Sequence, residues 1–223
     1  MTKCSGLMLL MVILLAGCHR PWRVMERCPE ELPAASRQAL VVDRDVTVDT
    51  GLAVRRYARQ ASGWRAVGEA IPVVAGRSGF AAPGAKREGD GRTPAGLFPL
   101  ERGFGYGPLN TRITHIVLTP DMIWIDDPRS SMYNTLVDRR EGERFSHEIM
   151  RRRDDLYKYG LVVEYNTKTI VPGAGSAIFF HVWRSPASAT AGCVAMAESD
   201  MVSLLTWLDP ASEPLAVIGN ACR

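Results

Sequence analysis

Apolar residues along this chain recur in short blocks rich in β-branched and aromatic side chains. The blocks are "QALVVD", "LAVRRYAR", "WRAVGEAIPVVAGR", "ITHIVLT", "MIWIDD", "LVVEYN", "AIFFHVW" and "PLAVIGN". Gly, Pro, Asn and Asp punctuate them, which is the pattern of strands joined by turns. "LAVRRYAR" and "GWRAV" flank "QASG" and predict a hairpin. Two segments predict helices instead: "SHEIMRRRDDLY", and "ESDMVSLLTWLD" with an apolar stripe through Met201, Leu204, Leu205 and Leu208 and Ser199 or Asp200 as N-cap. Strands outnumber helices, so the expected fold is mainly β, a sandwich or partly open barrel with a few short helices.

One stretch fits neither period. From Gly76 to Gly107 the chain reads "GRSGFAAPGAKREGDGRTPAGLFPLERGFGYG". No strand–GxGxxG–helix or GxxxxGK[ST] pattern occurs in it, which excludes the usual phosphate cradles. A long loop beside a cleft is the expectation, since such loops in compact domains usually bind something.

The start of the chain has a different character. Lys3 precedes "GLMLLMVILLAGC", an apolar run too short to span a bilayer comfortably and shaped like a secretory signal over residues 1–17. Its end, "LAGC", resembles a bacterial lipobox, which implies lipidation of Cys18 as the mature N-terminus. An ordinary signal peptide or an uncleaved anchor is the alternative. His19 stands where an aspartate would imply inner-membrane retention, so the resemblance points to a periplasmic protein anchored by lipid to the outer membrane. Residues 18–37 read as a tether and 38–223 as one domain, for which a chain of 223 residues suffices.

Charge changes the picture little. The formal net charge is +3, and loss of Lys3 leaves 26 basic against 24 acidic residues. Nucleic acid is not an expected partner, because no concentrated basic face is present. The densest basic run, Arg139 to Gly160, is interrupted by acids throughout and reads as a solvated helix, with a substrate-facing lid as the second reading.

Cysteine usage narrows the chemistry. Export and lipidation of Cys18 leave Cys28, Cys193 and Cys222 in a disulfide-permissive compartment. An odd count leaves one thiol free. Cys28 and Cys222 lie near the two ends of the mature chain, and chain ends are often close in space, so these two are the expected pair. Cys193 is then reduced, within "HVWRSPASATAGCVAM". An ordinary thiol is only a few per cent ionised at neutral pH and needs an adjacent base to attack an amide. His181 is the nearest supplier, provided that the chain turns back through "RSPASATAG". Gly192 permits close backbone approach, and the N–H groups of Gly192 and Cys193 are candidate oxyanion donors. On composition alone, "AGCVA" also reads as a packed small hydrophobe and His181 as a strand-end residue. "HE" at 147–148 opens like a zinc-protease motif, but no second histidine follows at helical spacing, so no metal is expected. His115 reads as an ordinary strand residue, and Asp126–Asp127 before Pro128 as a turn, with binding of a substrate amine as the second reading.

"TPAGLF" (Thr93 to Phe98), "GAGSAIFFH" (Gly173 to His181) and "TAGCVA" (Thr190 to Ala195), in this order behind an export signal, resemble the L,D-transpeptidase catalytic domain, also called YkuD. The resemblance covers roughly residues 38 to 220. It implies a β-sandwich-like catalytic fold, with Cys193 as nucleophile and His181 as base. Thr190 takes the family's Ser/Thr position, orienting the imidazole or capping the loop, and Tyr133 and Asn134 line the cleft. The substrate implied is the peptidoglycan stem peptide, with no cofactor. Many members carry an arginine two residues after the cysteine, where this chain has Ala195, so a substrate carboxylate would need another basic side chain. The reaction implied is L,D-transpeptidation through a thioester. Hydrolysis of the same type of bond by a carboxypeptidase or amidase stays open, as does a non-catalytic murein-binding lipoprotein.

Overall fold

The computed structural model describes residues 32–219. The described residues open with β1 (Gln38–Arg44), β2 (Leu52–Gln60) and β3 (Gly63–Pro72), an antiparallel meander with a bulge between Val54 and Arg56. Short strands follow: β4 (Phe80–Ala81), β5 (Thr93–Pro94), β6 (Gly96–Pro99) and β7 (Arg102–Gly105). Next come β8 (Thr114–Val117), β9 (Met122–Ile125), β10 (Leu136–Asp138), the single-turn helix α1 (Arg139–Gly142) and β11 (His147–Ile149). The described residues end with β12 (Tyr159–Val162), β13 (Phe179–Val182), β14 (Val194–Met196), α2 (Glu198–Trp207) and β15 (Leu215–Ile218).

Two mixed five-stranded sheets dominate, in the orders β3-β2-β1-β15-β6 and β14-β13-β12-β7-β8. Alternation along the strands assigns their faces. On β1, Leu40 and Val42 enter the main core, whereas Ala39 and Val41 face a second cluster with Tyr57, Leu215 and Val217. The main core joins both sheets: Leu40, Val42, Ala216 and Ile218 meet Leu161, Phe180, Val194 and Met196. Helix α2 closes it with Met201, Leu204, Leu205 and Leu208. The architecture is therefore β-sandwich-like, as expected.

Phe179 and His181 alternate with Phe180 and point to the opposite face of the second sheet. There Phe179 packs with Phe104, Trp124, Met150, Tyr157, Val162 and Cys193 in a third cluster. The small sheet β10-β9-β11 contributes Trp124 to it.

Several expectations need correction. "SHEIMRRRDDLY" is not a helix: His147–Ile149 pairs antiparallel with β9, and the rest is turn. Tertiary demand overrides helix propensity here, because Met150 and Tyr157 are both buried and Asp155 turns the chain with φ 57°. Helix α2 forms where predicted, but its N-cap is Ala197, with no side-chain cap bond. Glu198 and Asp200 instead place negative charge in its first turn, which suits the helix dipole. The stretch from Gly76 to Gly107 is not all loop, since β4 to β7 lie within it. Leu32 and Ser36, in the segment read as a tether, are buried, Leu32 against the cluster around Val41. Cys18, Cys28 and Cys222, with the expected lipidation and disulfide, lie outside the described residues.

Candidate active site

Strands β13 and β14 run parallel with Phe180 opposite Val194 and His181 opposite Ala195. That register sets Cys193 beside Phe179 and puts Cys193, Ala195 and His181 on one face of the sheet. Cys193 and His181 line one cavity of about 390 Å³, a size suited to a small ligand. The chain turn required between them exists. Thr190 N bonds Ala75 O and Arg77 N bonds Thr190 O, both at 2.9 Å, so the returning loop is stitched to the segment after β3.

Main chain holds the thiol, and a hydroxyl holds the backbone around it. Cys193 Sγ donates to Ala177 O at 3.2 Å and accepts from Phe179 N at 3.4 Å. Ala177 adopts φ 51°, a left-handed conformation uncommon for alanine, and its N–H is held by Asn134 Oδ1 at 3.0 Å. Thr190 Oγ1 donates to Cys193 O at 2.6 Å and accepts from Gly192 N at 3.1 Å. Thr190 therefore caps the loop and does not orient the imidazole. Gly192 N–H, expected as an oxyanion donor, is already engaged by that hydroxyl. Gly192 itself has φ 155°, and a Cβ there would stand 3.0 Å from Arg92 O.

His181 is oriented by backbone, not by a carboxylate. Its Nδ1 lies 2.7 Å from Val182 O. A carbonyl only accepts, so the proton sits on Nδ1 and Nε2 keeps the lone pair. Tyr157 packs edge-on against the ring with centroids 5.3 Å apart. Burial pushes the imidazole pKa down to about 4, opposed by the bond to Val182. Burial likewise pushes the Cys193 thiol up to about 12, opposed by the Phe179 N–H. The resting pair is thus neutral thiol and neutral imidazole, and no hydrogen bond joins the two side chains among the described residues.

Most of the rest of the lining was not singled out by residue, although Asp126 was, as a turn residue with substrate-amine binding as the second reading. Lys86, Glu88, Asp126, Glu148, Arg152 and Tyr157 all border the cavity. Glu148, Arg152, Leu156 and Tyr157 belong to the basic run read as a solvated helix, and they border the cavity instead. Burial raises the Glu148 pKa, and Tyr157, whose hydroxyl meets Glu148 Oε2 at 3.4 Å, is raised well above its ordinary value. Asp154 is lowered to about 2 by its hydrogen bond from Arg152. Tyr133 and Asn134 do not border the cavity but brace its wall from behind. Tyr133 donates to Glu88, and Asn134 Oδ1 accepts from Trp124 Nε1 at 2.9 Å. A sequence signal for Lys86 and Glu88 was the charged run "KREGD" within the glycine-rich stretch.

No curated protein matches this chain. Among solved structures, it is similar to the helical cell shape determining protein Pgp2 from Campylobacter jejuni, at 16% identity and a TM-score of 0.43. That match covers 82% of this chain and 48% of the other, so this chain spans about half its length. A family model described as the L,D-transpeptidase catalytic domain, YkuD, matches residues 43–217. That span runs from the end of β1 to β15 and includes Thr93, His181, Thr190, Gly192 and Cys193, and on it the chain belongs to the L,D-transpeptidase catalytic domain family.

Proposed function

We propose that this protein is a cysteine acyltransferase acting on peptidoglycan stem peptides. The observation that carries the reading is the register of β13 on β14, which sets Cys193 and His181 on one face at a common cavity. In this reading Cys193 attacks the carbonyl carbon between the L-centre of a diamino acid and the terminal D-alanine of a tetrapeptide. His181 Nε2 takes the thiol proton as the S–C bond forms. Because thiol and imidazole rest neutral, with pKa values of about 12 and about 4, the transfer runs in concert with attack. The N–H of Cys193 faces the developing oxyanion, since that of Gly192 is engaged by Thr190. The C–N bond then breaks, the imidazolium protonates the departing amine of D-alanine, and a thioester remains. An amine on a neighbouring stem attacks the thioester, His181 takes its proton, and the thiol is restored as the cross-link forms. Water in place of that amine gives hydrolysis.

The decisive experiment is mass spectrometry of the protein incubated with disaccharide-tetrapeptide. A cross-linked dimer lacking one D-alanine, absent with Cys193→Ala, is expected. Tripeptide alone makes water the acceptor. No product and no adduct on Cys193 overturns the reading in favour of a murein-binding role. The placement that goes with it is periplasmic, with the membrane reached through lipid on Cys18. The mass of the mature N-terminal peptide checks that, and an unmodified Cys18 rejects it.

A further inference from the structure

Three cations border the cavity: Lys86, Arg152 and Arg184. Arg152 is committed to acids, with Nε and Nη2 each 2.7 Å from Asp154 and Nη1 3.5 Å from Glu148. The Arg184 side chain is 68% exposed, so water competes for it. Lys86 differs from both. Its side chain is only 4% exposed, and Nζ donates at 2.7 Å to Asp90 Oδ1 and to Arg87 O. An ammonium has three donors, so one N–H remains.

The surrounding loop is organised around this side chain. Asp90 closes it by also accepting from Arg87 N at 2.9 Å and Arg92 N at 2.8 Å. Glu88, the neighbouring carboxylate, is used up in fastening the loop: it accepts from Tyr133 and from Ser176 Oγ at 2.6 Å, and Gly89 N bonds its other oxygen at 3.2 Å. Lys86 runs flush along Gly175, where φ is +103° and a Cβ would stand 2.9 Å from Lys86 Cγ and 3.3 Å from Nζ. Any side chain there would displace the lysine. Two residues further on, Ala177 O accepts the thiol proton. Lys86 also favours the charged form of Cys193. Burying an ammonium is costly unless it is well paired, and buried charges beside a cavity mark working positions. Ala195, two residues after Cys193, also borders the cavity and carries no charge.

We propose that Lys86 determines the specificity of this cavity: its remaining N–H binds a substrate carboxylate, selecting peptides with a free carboxylate beside the bond that Cys193 attacks. The assignment rests on Cys193 being the nucleophile of the site. Iodoacetate and iodoacetamide test it, since they alkylate the same thiol and differ in a carboxylate against a carboxamide. Rates at Cys193 are read by peptide mass spectrometry of the full chain, and the ratio of the two cancels any change in thiol ionisation. The ratio of iodoacetate to iodoacetamide is expected to fall about tenfold in Lys86→Gln, the loss of one nearby charge, and to persist in Lys86→Arg. An unchanged ratio in Lys86→Gln overturns the proposal. If Lys86→Gln reacts with iodoacetamide as fast as denatured protein, the wild type decides. N-acetyl-D-alanine should then protect Cys193 from iodoacetamide while its amide does not, and equal or absent protection overturns the proposal. These probes need no turnover. A selective ratio with no product from tetrapeptide therefore retains the carboxylate site and rejects acyl transfer.

Discussion

The sheet side of the cavity, with Cys193 and His181, and the loop side, from Lys86 to Asp90 and from Glu148 to Tyr157, are held by different forces. On the sheet side, position follows from strand register and apolar packing. Phe179 lies between Phe104 and Trp124 with ring centroids 5.2 Å and 5.0 Å away, all in edge contacts, and the polar groups are satisfied by main chain. On the loop side, position follows from ion pairs and hydroxyls: Lys86 with Asp90, Arg152 with Asp154, Glu88 with Tyr133 and Ser176. In the proposed mechanism, the atoms assigned to react thus sit where geometry is least adjustable, while the charged lining sits where polar contacts can exchange. Burial does a second job on the sheet side by keeping the thiol and the imidazole neutral at rest.

That contrast can be broken most sharply at His181. His181→Gln should lower the rate of thioester formation by about 10²- to 10⁴-fold, the usual worth of a general base, in single-turnover mass spectrometry. A loss within tenfold would make the histidine a packing residue. The pH dependence of stability comes next. His181 titrates at about 4 when folded and near 6.5 when unfolded. The unfolded chain therefore binds more protons across that window, and stability falls as pH drops from 6.5 to 4, by up to roughly 3 kcal/mol. Cys193 titrates at about 12 folded against 9. The unfolded thiol ionises first, so stability falls as pH rises from 9 to 12, by up to roughly 4 kcal/mol. Urea midpoints across pH should show a plateau between, with its acid edge flattened by His181→Gln and its alkaline edge by Cys193→Ala.

A smaller effect is expected from packing alone. Gly160 stands opposite Phe104, and a Cβ there would come within 2.2 Å of the ring. Gly160→Ala should destabilise the fold by about 1–3 kcal/mol, read by thermal unfolding, because Phe104 must leave its contact with Phe179. The smallest effect belongs to the loop side. Asp154→Asn removes a half-exposed ion pair and should change stability by less than about 1 kcal/mol. A larger loss there would mean that the loop side is as rigid as the sheet.

Legibility in the sequence followed the same division. The eight apolar blocks predicted from β-branched content all carry strands, and the stripe from Met201 to Leu208 lies against the core as a helix does. These depend on local periodicity, which a single chain displays in full. Strands β4 to β7, β10, β11 and β14 were missed because no longer apolar β-branched block surrounds them, and pairing rather than propensity makes them strands. "SHEIMRRRDDLY" failed for the same reason, its helix-forming residues being drawn into β9 pairing and a turn that buries Met150 and Tyr157.

For the site, the order of motifs pointed to the family that the family model shows, and singled out Cys193 and His181, which the structure brings to one cavity. Only the tertiary structure decided what surrounds them. It showed that Thr190 caps the loop, that Val182 O orients the imidazole, and that Tyr133 and Asn134 brace the wall from behind. It also brought Lys86, Glu148 and Arg152 from distant loops to one cavity. The reason is physical: a residue's type and its local turn are written in neighbouring positions, whereas burial, hydrogen-bond partners and charge placement arise from contacts between segments far apart in the chain.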